Sequence, residues 1–453
     1  MGHDSTPPGD RDDRHDRHDR QGGDARRSLT RRYLVMHGLR WFPVGLMAPI
    51  MVLLFTSRGL SLTEFGVVIT VMTGTAFALE LPTGGLADAL GRKRVLLVAA
   101  GFLLVAKVSL LAIASSSARP ALWLMLVASL SMGVYRALES GPLDAWYVDA
   151  LHVLEPQADV EAGLGRAGGV TGFSMAAGSL LAGGLLAWNP FVGLEPMALV
   201  MGVATAFAVA QAAAIATLMW EVRDPLGWQV VVASVRDVPR VIGATFGLVR
   251  TSRILALLLV VEATASVGMV AFETLFPVRL EALTGSTDTA AALMGPVSAA
   301  AWAASGAGAA LIARASRRLG PYRTSMALRV LQAATILGMG LAMGPVGAIV
   351  GLVATYLVHG AFNPVHMALV HGQVGADTRA TALSLNAMVA GAAYTASAVA
   401  IGAVADTWSV PVGMAVCAGA CLLGLAPLVR ARRLAATQRS MAPGPDAASL
   451  TPA

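Results

Sequence analysis

Ionisable and polar side chains inside long apolar stretches are the residues of this chain that could do chemistry. A charge at the centre of a membrane-spanning helix costs about 2.5–3.5 kcal/mol on insertion scales, so each one needs a partner or a function. The residues that share this position are Arg40, Glu80, Lys107, Arg136, Glu139, Glu262, Glu273, Arg329, His359, Asn363 and His366.

Several of these side chains have two interpretations. Arg136 and Glu139 lie three residues apart on one helix face and could simply neutralise each other. Glu80 stands two residues before Pro82, whose ring frees a backbone carbonyl one turn back, and such a carboxyl group could carry a proton. Glu80 could instead form a structural pair with Arg40 on a neighbouring helix, and these two interpretations remain open.

Long apolar stretches must position these groups. The chain of 453 residues is 56% hydrophobic and 13% charged, whereas a soluble domain has about 25% charged residues. A bilayer-spanning helix needs about 20 apolar residues. The predicted spans are 33–56, 62–84, 94–114, 120–143, 164–188, 193–219, 254–278, 289–313, 324–344, 346–369, 380–404 and 409–429.

A polar turn stands between the second and third of these spans. It reads Gly-Gly-Leu-Ala-Asp-Ala-Leu-Gly-Arg-Lys-Arg over residues 84–94 and combines one acid with three bases. Its glycines allow a sharp turn and a close approach of two helices. Glu80-Leu81-Pro82-Thr83 leads directly into it.

This turn resembles the loop between helices 2 and 3 of the major facilitator superfamily of secondary transporters, whose pattern is Gly-x-Leu-Ala-Asp-Arg-x-Gly-Arg-Arg/Lys. The run before it is similar to the Glu-Ile/Leu-Pro-Thr-Gly run of drug-efflux-like members. The resemblance implies an all-α membrane protein with twelve transmembrane helices in two six-helix halves. It also implies that one set of loop residues acts as a conformational switch, namely Gly84, Asp88, Gly91, Arg92 and Lys93.

In that superfamily, helices 1, 4, 7 and 10 line the central cavity. The resemblance therefore implies that polar and aromatic residues on these helices are candidates for contact with a substrate. They are Arg40, Trp41, Phe42, Arg136, Glu273, His359, Asn363 and His366. Glu80 is the first candidate for a coupling proton, and Glu139 and Glu262 are the next two.

Domain boundaries and orientation follow from the polar segments. The longest interruption, 220–253, separates a first half at 33–219 from a second half at 254–430, and its five arginines indicate an amphipathic helix on the membrane surface. Basic residues concentrate in alternate loops, which places both termini in the cytoplasm of a multi-pass plasma (inner) membrane protein. The tails at 1–32 and 431–453 are predicted to be cytoplasmic, and the first is predicted to be disordered.

Several enzyme classes lack their motifs here. Neither Lys93 nor Lys107 is followed by Ser or Thr, so there is no Walker A loop, and His-Glu and Gly-x-Ser-x-Gly motifs are missing as well. We expect no enzymatic activity, no cofactor and no metal. The net charge of +6 follows from the cytoplasmic loops, so no nucleic acid is expected as a partner.

The resemblance implies a monomeric secondary transporter that uses a proton gradient across the lipid bilayer. Export of a small, largely apolar organic compound, such as a drug or metabolite, is the first hypothesis. An uptake symporter or uniporter for a nutrient, and a membrane sensor or scaffold that does not transport, are the alternatives.

Overall fold

The structure, a computed structural model, describes residues 9–83, 85–189, 191, 193–375 and 378–441. These residues form helices joined by short connections. The helices are α1 (Gly9–Met47), α2 (Met51–Ser57), α3 (Leu62–Thr83), α4 (Leu86–Leu90), α5 (Arg92–Ala114), α6 (Leu122–Glu139), α7 (Pro142–Leu154), α8 (Glu161–Trp188), α9 (Pro196–Leu218), α10 (Trp228–Thr251), α11 (Arg253–Val270), α12 (Phe276–Thr284), α13 (Thr287–Leu319), α14 (Pro321–Leu341), α15 (Pro345–His371), α16 (Arg379–Thr407), α17 (Val410–Leu423) and α18 (Leu425–Met441). A π-helical turn, Ala271–Leu275, joins α11 to α12.

Twelve membrane spans fit this part of the chain. Eleven helical segments are long and apolar enough to cross a bilayer, and the pair α1 and α2, bent by 41°, makes the twelfth. The bend falls at Pro49, which has no N–H to donate and whose ring clashes with the preceding turn. The predicted all-α, twelve-span architecture is confirmed.

The two halves repeat one packing pattern. In the first half α1 packs on α8 and α9, α3 on α6, and α5 on α6 and α9. In the second half α11 packs on α16 and α17, α13 on α15, and α14 on α15 and α17. Each contact in one half therefore has a counterpart six spans later, as expected for a transporter fold built from two repeats.

The halves meet at the end of the bundle opposite the linker helix α10. There Asp406 of α16 accepts hydrogen bonds from the backbone N–H groups of Leu62 (2.9 Å) and Thr63 (2.8 Å) at the start of α3. On the other side of the bundle, a Cβ at Gly295 of α13 would lie 2.6 Å from the Cα of Gly183 of α8. Only glycine allows this crossing, so the opposite end is closed by backbone-to-backbone contact.

Toward the linker end, part of α8 has no such close contacts. The face of α8 that carries Gly183 continues toward this end with four more glycines at helical spacing, and added Cβ atoms on them would meet nothing within 4 Å. They are Gly165, Gly168, Gly169 and Gly172. We call the open space beside these glycines, on the linker side of the Gly183 crossing, the gap.

The ends of the chain differ from the predicted boundaries. α1 begins at Gly9, so residues 9–32, for which the sequence predicts a disordered tail, are helical. Leu29 and Thr30 are buried, and Arg26 pairs with Glu155 after α7, because the helix continues past the membrane span and packs on the first half. At the other terminus, α18 continues to Met441, beyond the predicted boundary at 430.

Candidate functional site

An ion pair inside the first half joins α1 to α6. Arg40 Nε lies 2.5 Å from Glu139 Oε1, and the two side chains are 19% and 5% exposed. The guanidinium also lies 5.0 Å from the centroid of the Trp41 ring, a cation–π distance. Glu139 is the last residue of α6, before the break at Gly141, where φ is +94° and the helix restarts as α7.

The Arg40–Glu139 pair differs from both ion pairs that the sequence left open, Arg40 with Glu80 and Arg136 with Glu139. Arg40 pairs with Glu139 rather than with Glu80, and Glu80 is exposed on α3. Arg136 is also exposed, and the ion pair of Glu139 is formed with Arg40 instead. The reason is that Glu139 points toward α1, while Arg136, three residues earlier, points away from the packed interior.

The second half contains a network of Glu262 on α11, His366 on α15 and Asn386 on α16. His366 Nε2 lies 3.2 Å from Glu262 Oε2 and 3.0 Å from Asn386 Oδ1, so an N–H on Nε2 can donate to both oxygens. The Asn386 amide also hydrogen-bonds to Glu262. His366 is fully buried and Glu262 is 17% exposed, which leaves the carboxylate as the accessible end of the network.

Next to this network lies a buried arginine. The Arg329 guanidinium of α14 sits 3.7 Å from the centroid of Phe362, and Phe362 stacks on His366 at 5.0 Å. Arg329 interacts electrostatically with Glu262, but its Nε and Nη2 atoms are buried without a hydrogen-bond partner. Among the described residues, Arg329 has no carboxylate within ion-pair distance, so Glu262, when it is charged, supplies a nearby negative charge.

A third carboxylate, Glu273, occupies the π-helical turn between α11 and α12. Tyr356 of α15 donates its hydroxyl hydrogen to Glu273 Oε1 at 2.6 Å. The Tyr356 ring packs edge-on against Phe272 (5.0 Å) and Trp302 (5.6 Å). Single π-helical turns within α-helices are frequently found at functional sites.

The remaining predicted contact residues are divided between the gap and the interior. Phe42 stacks on Phe207 at 4.5 Å inside the first half. Trp41 has a buried indole N–H without a partner. His359 lies 5.1 Å from Phe272, and Asn363, one turn further along α15, is exposed. The structure thus brings His359, but not Phe42, next to the aromatic residues around Glu273.

The polar turn before α5 is held by charges. Arg92 pairs with Asp149 of α7, and Arg223 of the linker reaches the same carboxylate at 2.7 Å. Asp88, whose side chain is 53% exposed, lies 3.6 Å from Arg92. Gly84, which the resemblance also assigns to the switch, lies outside the described residues.

The linker also forms hydrogen bonds with this turn. Glu221 accepts hydrogen bonds from the backbone N–H groups of Lys93 (3.0 Å) and Arg94 (3.3 Å), which are unpaired donors of the first turn of α5. Gly91 has φ of +96°, and any side chain there would collide with Glu221. The linker helix α10 then packs on α3 and α4 and also reaches α16, so the linker contacts both halves at this end.

Sequence reasoning missed several partners. Asn386, Tyr356 and Trp302 each had a signal, since a polar or amphipathic side chain in an apolar span needs a partner. Their partners lie on other helices, so the sequence alone could not pair them. Among the described residues, no three His, Cys, Asp or Glu side chains are grouped closely enough to hold a metal ion.

Two six-helix repeats, a gap open at one end and ionisable groups on the facing helices define a membrane transporter, not an enzyme. The chain belongs to the Major Facilitator Superfamily, whose family model matches residues 33–359. The fold implied by the polar turn of residues 84–94 is therefore correct. No curated protein sequence matches this chain.

Solved structures of transporters share the fold. The nucleoside transporter NupG superposes with a TM-score of 0.70 at 13% identity, covering 89% of this chain and 98% of that one. The peptide transporter POT in complex with sulfate gives 0.65 at 15% identity, covering 89% and 94%. A bacterial homologue of the human lysosomal transporter Spinster, in an inward-facing and unoccupied conformation, gives 0.65 at 13% identity, covering 90% and 95%.

Proposed function

We propose that this protein is a proton-coupled exporter of small, largely apolar organic compounds, acting as a monomer in the plasma membrane with both termini in the cytoplasm. The observation that carries the proposal is the Glu262–His366–Asn386 network. It places two groups that can gain and lose protons inside the membrane region, with Glu262 as the accessible one. Ionisable groups in a membrane span cost free energy when they are charged, so those that are present usually have a function.

The choice of Glu262 over the other two acids rests on their partners. Arginine keeps its charge at all relevant pH values, so Arg40 favours the carboxylate form of Glu139. His366 can stay uncharged, and a carboxyl group beside an uncharged imidazole can accept a proton without losing an ion-pair partner, so the net charge of the Glu262–His366 pair can change from −1 to 0 when one proton binds. Glu80, the first candidate from the sequence, is exposed and lacks the burial on which that choice depended.

Protonation of this pair would act on α14. With Glu262 charged, Arg329 has an opposite charge nearby, and a proton on the pair removes that balance. An uncompensated charge in a low-dielectric interior favours rearrangement. We infer that proton binding shifts the second half between the two arrangements that alternating access requires.

Closure of the gap at the linker end would give the second of these two arrangements. On antiparallel α8 and α13, Gly183 meets Ala292, so the same register places Gly169 opposite Gly306 near the linker end. Added Cβ atoms at both positions would meet nothing within 4 Å in the present conformation. Rocking of the halves would bring these two glycines together and close the linker end.

A cross-linking experiment tests this motion. In a Gly169→Cys/Gly306→Cys variant, a disulfide needs Cα atoms about 4.4–6.8 Å apart and forms only when the linker end closes. We expect cross-linking to stop transport and reduction to restore it, with the two single-cysteine variants as controls. Unchanged transport by the cross-linked protein would contradict the motion.

Coupling is tested in liposomes with an imposed pH gradient. A substrate is first identified by screening overexpressing cells, and inverted vesicles then give the direction of flux. We expect Glu262→Gln to lose gradient-driven accumulation and to keep substrate exchange, whereas Glu80→Gln accumulates normally. The reverse result would return the coupling role to Glu80. Inward flux would indicate an uptake symporter, and no movement of any compound would indicate a sensor or scaffold.

A further inference from the structure

Glu273 differs from the other two acids of the bundle because no base pairs with it. Glu139 has Arg40, and Glu262 has His366, but among the described residues no Arg, Lys or His nitrogen lies within 4.0 Å of the Glu273 carboxylate. Its one hydrogen bond comes from the neutral Tyr356 hydroxyl. A carboxylate in this position therefore lacks a positively charged partner among the described residues.

Aromatic rings from several helices surround this carboxylate. Phe272 precedes it on the π-helical turn, Tyr356 comes from α15 and Trp302 from α13. Tyr394 of α16 lies beside them, with its hydroxyl 3.3 Å from Thr274 Oγ1. The faces of aromatic rings attract cations, and they do so more strongly where water is excluded.

The group lies at the narrow end of the gap. Tyr394 directly precedes Thr395, whose carbonyl oxygen is 3.5 Å from Thr70 Oγ1 of the first half, where the closed end begins. Trp302 lies two turns from the Gly295 crossing on the same helix. Glu273, Trp302 and Tyr394 all remain partly exposed, so a molecule that enters from the linker end would reach them last.

We propose that Glu273 and these rings form the binding site for an organic cation with one positive charge and an apolar body. The carboxylate supplies the missing counter-charge, the rings cover the apolar and cationic surface, and the Tyr356 hydrogen bond holds the carboxylate in place. One carboxylate without a base accounts for a single charge, and anions of the same size are repelled. This inference rests on the proposed transport function and names its substrate class.

Equilibrium binding to the purified full-length protein tests the site. The probes are the cations tetraphenylphosphonium, ethidium and benzyltrimethylammonium, the neutral triphenylphosphine oxide and the anion tetraphenylborate. We expect at least one of the cations to bind at least tenfold more tightly than the neutral compound, and tetraphenylborate not to bind. Glu273→Gln should remove this preference, because the amide keeps an acceptor for Tyr356 but has no charge.

Further variants separate binding from folding. Glu273→Asp keeps the charge and should retain part of the cation preference, while Trp302→Ala should weaken all the cations that bind. Glu281→Gln, which removes a carboxylate eight residues further along the chain on α12, is the matched control and should bind like the unmodified protein. Equal binding of neutral and cationic probes, or an unchanged preference in Glu273→Gln, would overturn the proposal.

The outcome is independent of the coupling experiment. Cation binding that depends on Glu273, without proton-driven flux, would support the site and contradict the exporter. Proton-driven flux of neutral compounds that is insensitive to Glu273→Gln would support the exporter and contradict the site.

Discussion

The two halves of the bundle share a packing pattern but hold their buried acids differently. In the first half, Glu139 lies 2.5 Å from an arginine that is always charged. In the second half, Glu262 lies 3.2 Å from a histidine, and Glu273 has only a tyrosine hydroxyl. Equivalent helices, the first and fourth of each half, thus carry a permanent pair in one half and changeable groups in the other.

This difference suggests different roles for the buried acids of the two halves. A pair with arginine stabilises the position of two helices and favours the charged form of its acid. A pair with histidine can change charge, and an unpaired carboxylate can take a ligand. Under the proposed function, the second half would carry the proton-binding and ligand-binding groups, while the Arg40–Glu139 pair would hold helices of the first half in place.

The strongest test of this comparison breaks the permanent pair. Arg40→Met leaves Glu139 buried without its base, and we expect the free energy of unfolding in detergent to fall by about 3 kcal/mol, at the low end for a buried pair since Arg40 is 19% exposed. Arg40→Met/Glu139→Gln should recover most of the loss. If Glu262→Gln destabilises the protein as much, the halves do not differ in this way.

A smaller effect is expected at the polar turn of residues 84–94, which the linker contacts in the first half. Asp149→Asn removes the shared partner of Arg92 and Arg223. We expect a loss of about 1–2 kcal/mol of stability, as for hydrogen bonds to charged groups, and slower turnover with unchanged substrate affinity. Arg323→Gln in the equivalent turn of the second half is the matched control. A fall in affinity with normal turnover would contradict the switch role.

Lys107 is the converse of Glu273, because among the described residues no acid lies within ion-pair distance of this base. It is 3% exposed on α5, and the contact of its amine is the sulfur of Met47. We expect Lys107→Met to raise the free energy of unfolding by about 1 kcal/mol, because an unpaired buried polar group is removed. Transport should remain normal. Loss of transport would show that the first half also carries chemistry.

The smallest change in stability is expected for Asp88→Asn. The Asp88 side chain is 53% exposed and 3.6 Å from Arg92, and exposed pairs of this spacing contribute about 0.3–0.5 kcal/mol. We expect changes in stability and substrate affinity no larger than that contribution, and a slower turnover, since the resemblance assigns Asp88 to the conformational switch. Measurements of thermal unfolding, binding and flux on one preparation would separate these effects, and weaker binding with normal turnover would count against a switching role.

Much of the architecture was predictable because it depends on local composition. Apolar runs near residues 62–84 or 254–278 must cross a bilayer wherever they occur, and the glycines and charges of the polar turn at residues 84–94 have a spacing typical of one loop in this fold. The start of α1 was not predictable, because the hydrophilic residues 9–32 are helical as a continuation of a span. Leu29 is buried there through contacts with the rest of the first half.

The sequence by itself determined which ionisable groups stand inside the membrane spans and that each needs a partner or a function, because the cost of burying a charge depends on the residue and its span. Only the tertiary structure decided which of them are paired. The sequence offered Glu80 as a partner for Arg40, yet Arg40 lies beside Glu139, which the sequence had offered to Arg136. Glu273 lies near aromatic rings, and its hydrogen bond comes from a tyrosine hydroxyl. An ion pair needs two atoms within a few ångströms of each other, and helices far apart in the chain reach that distance only when they pack.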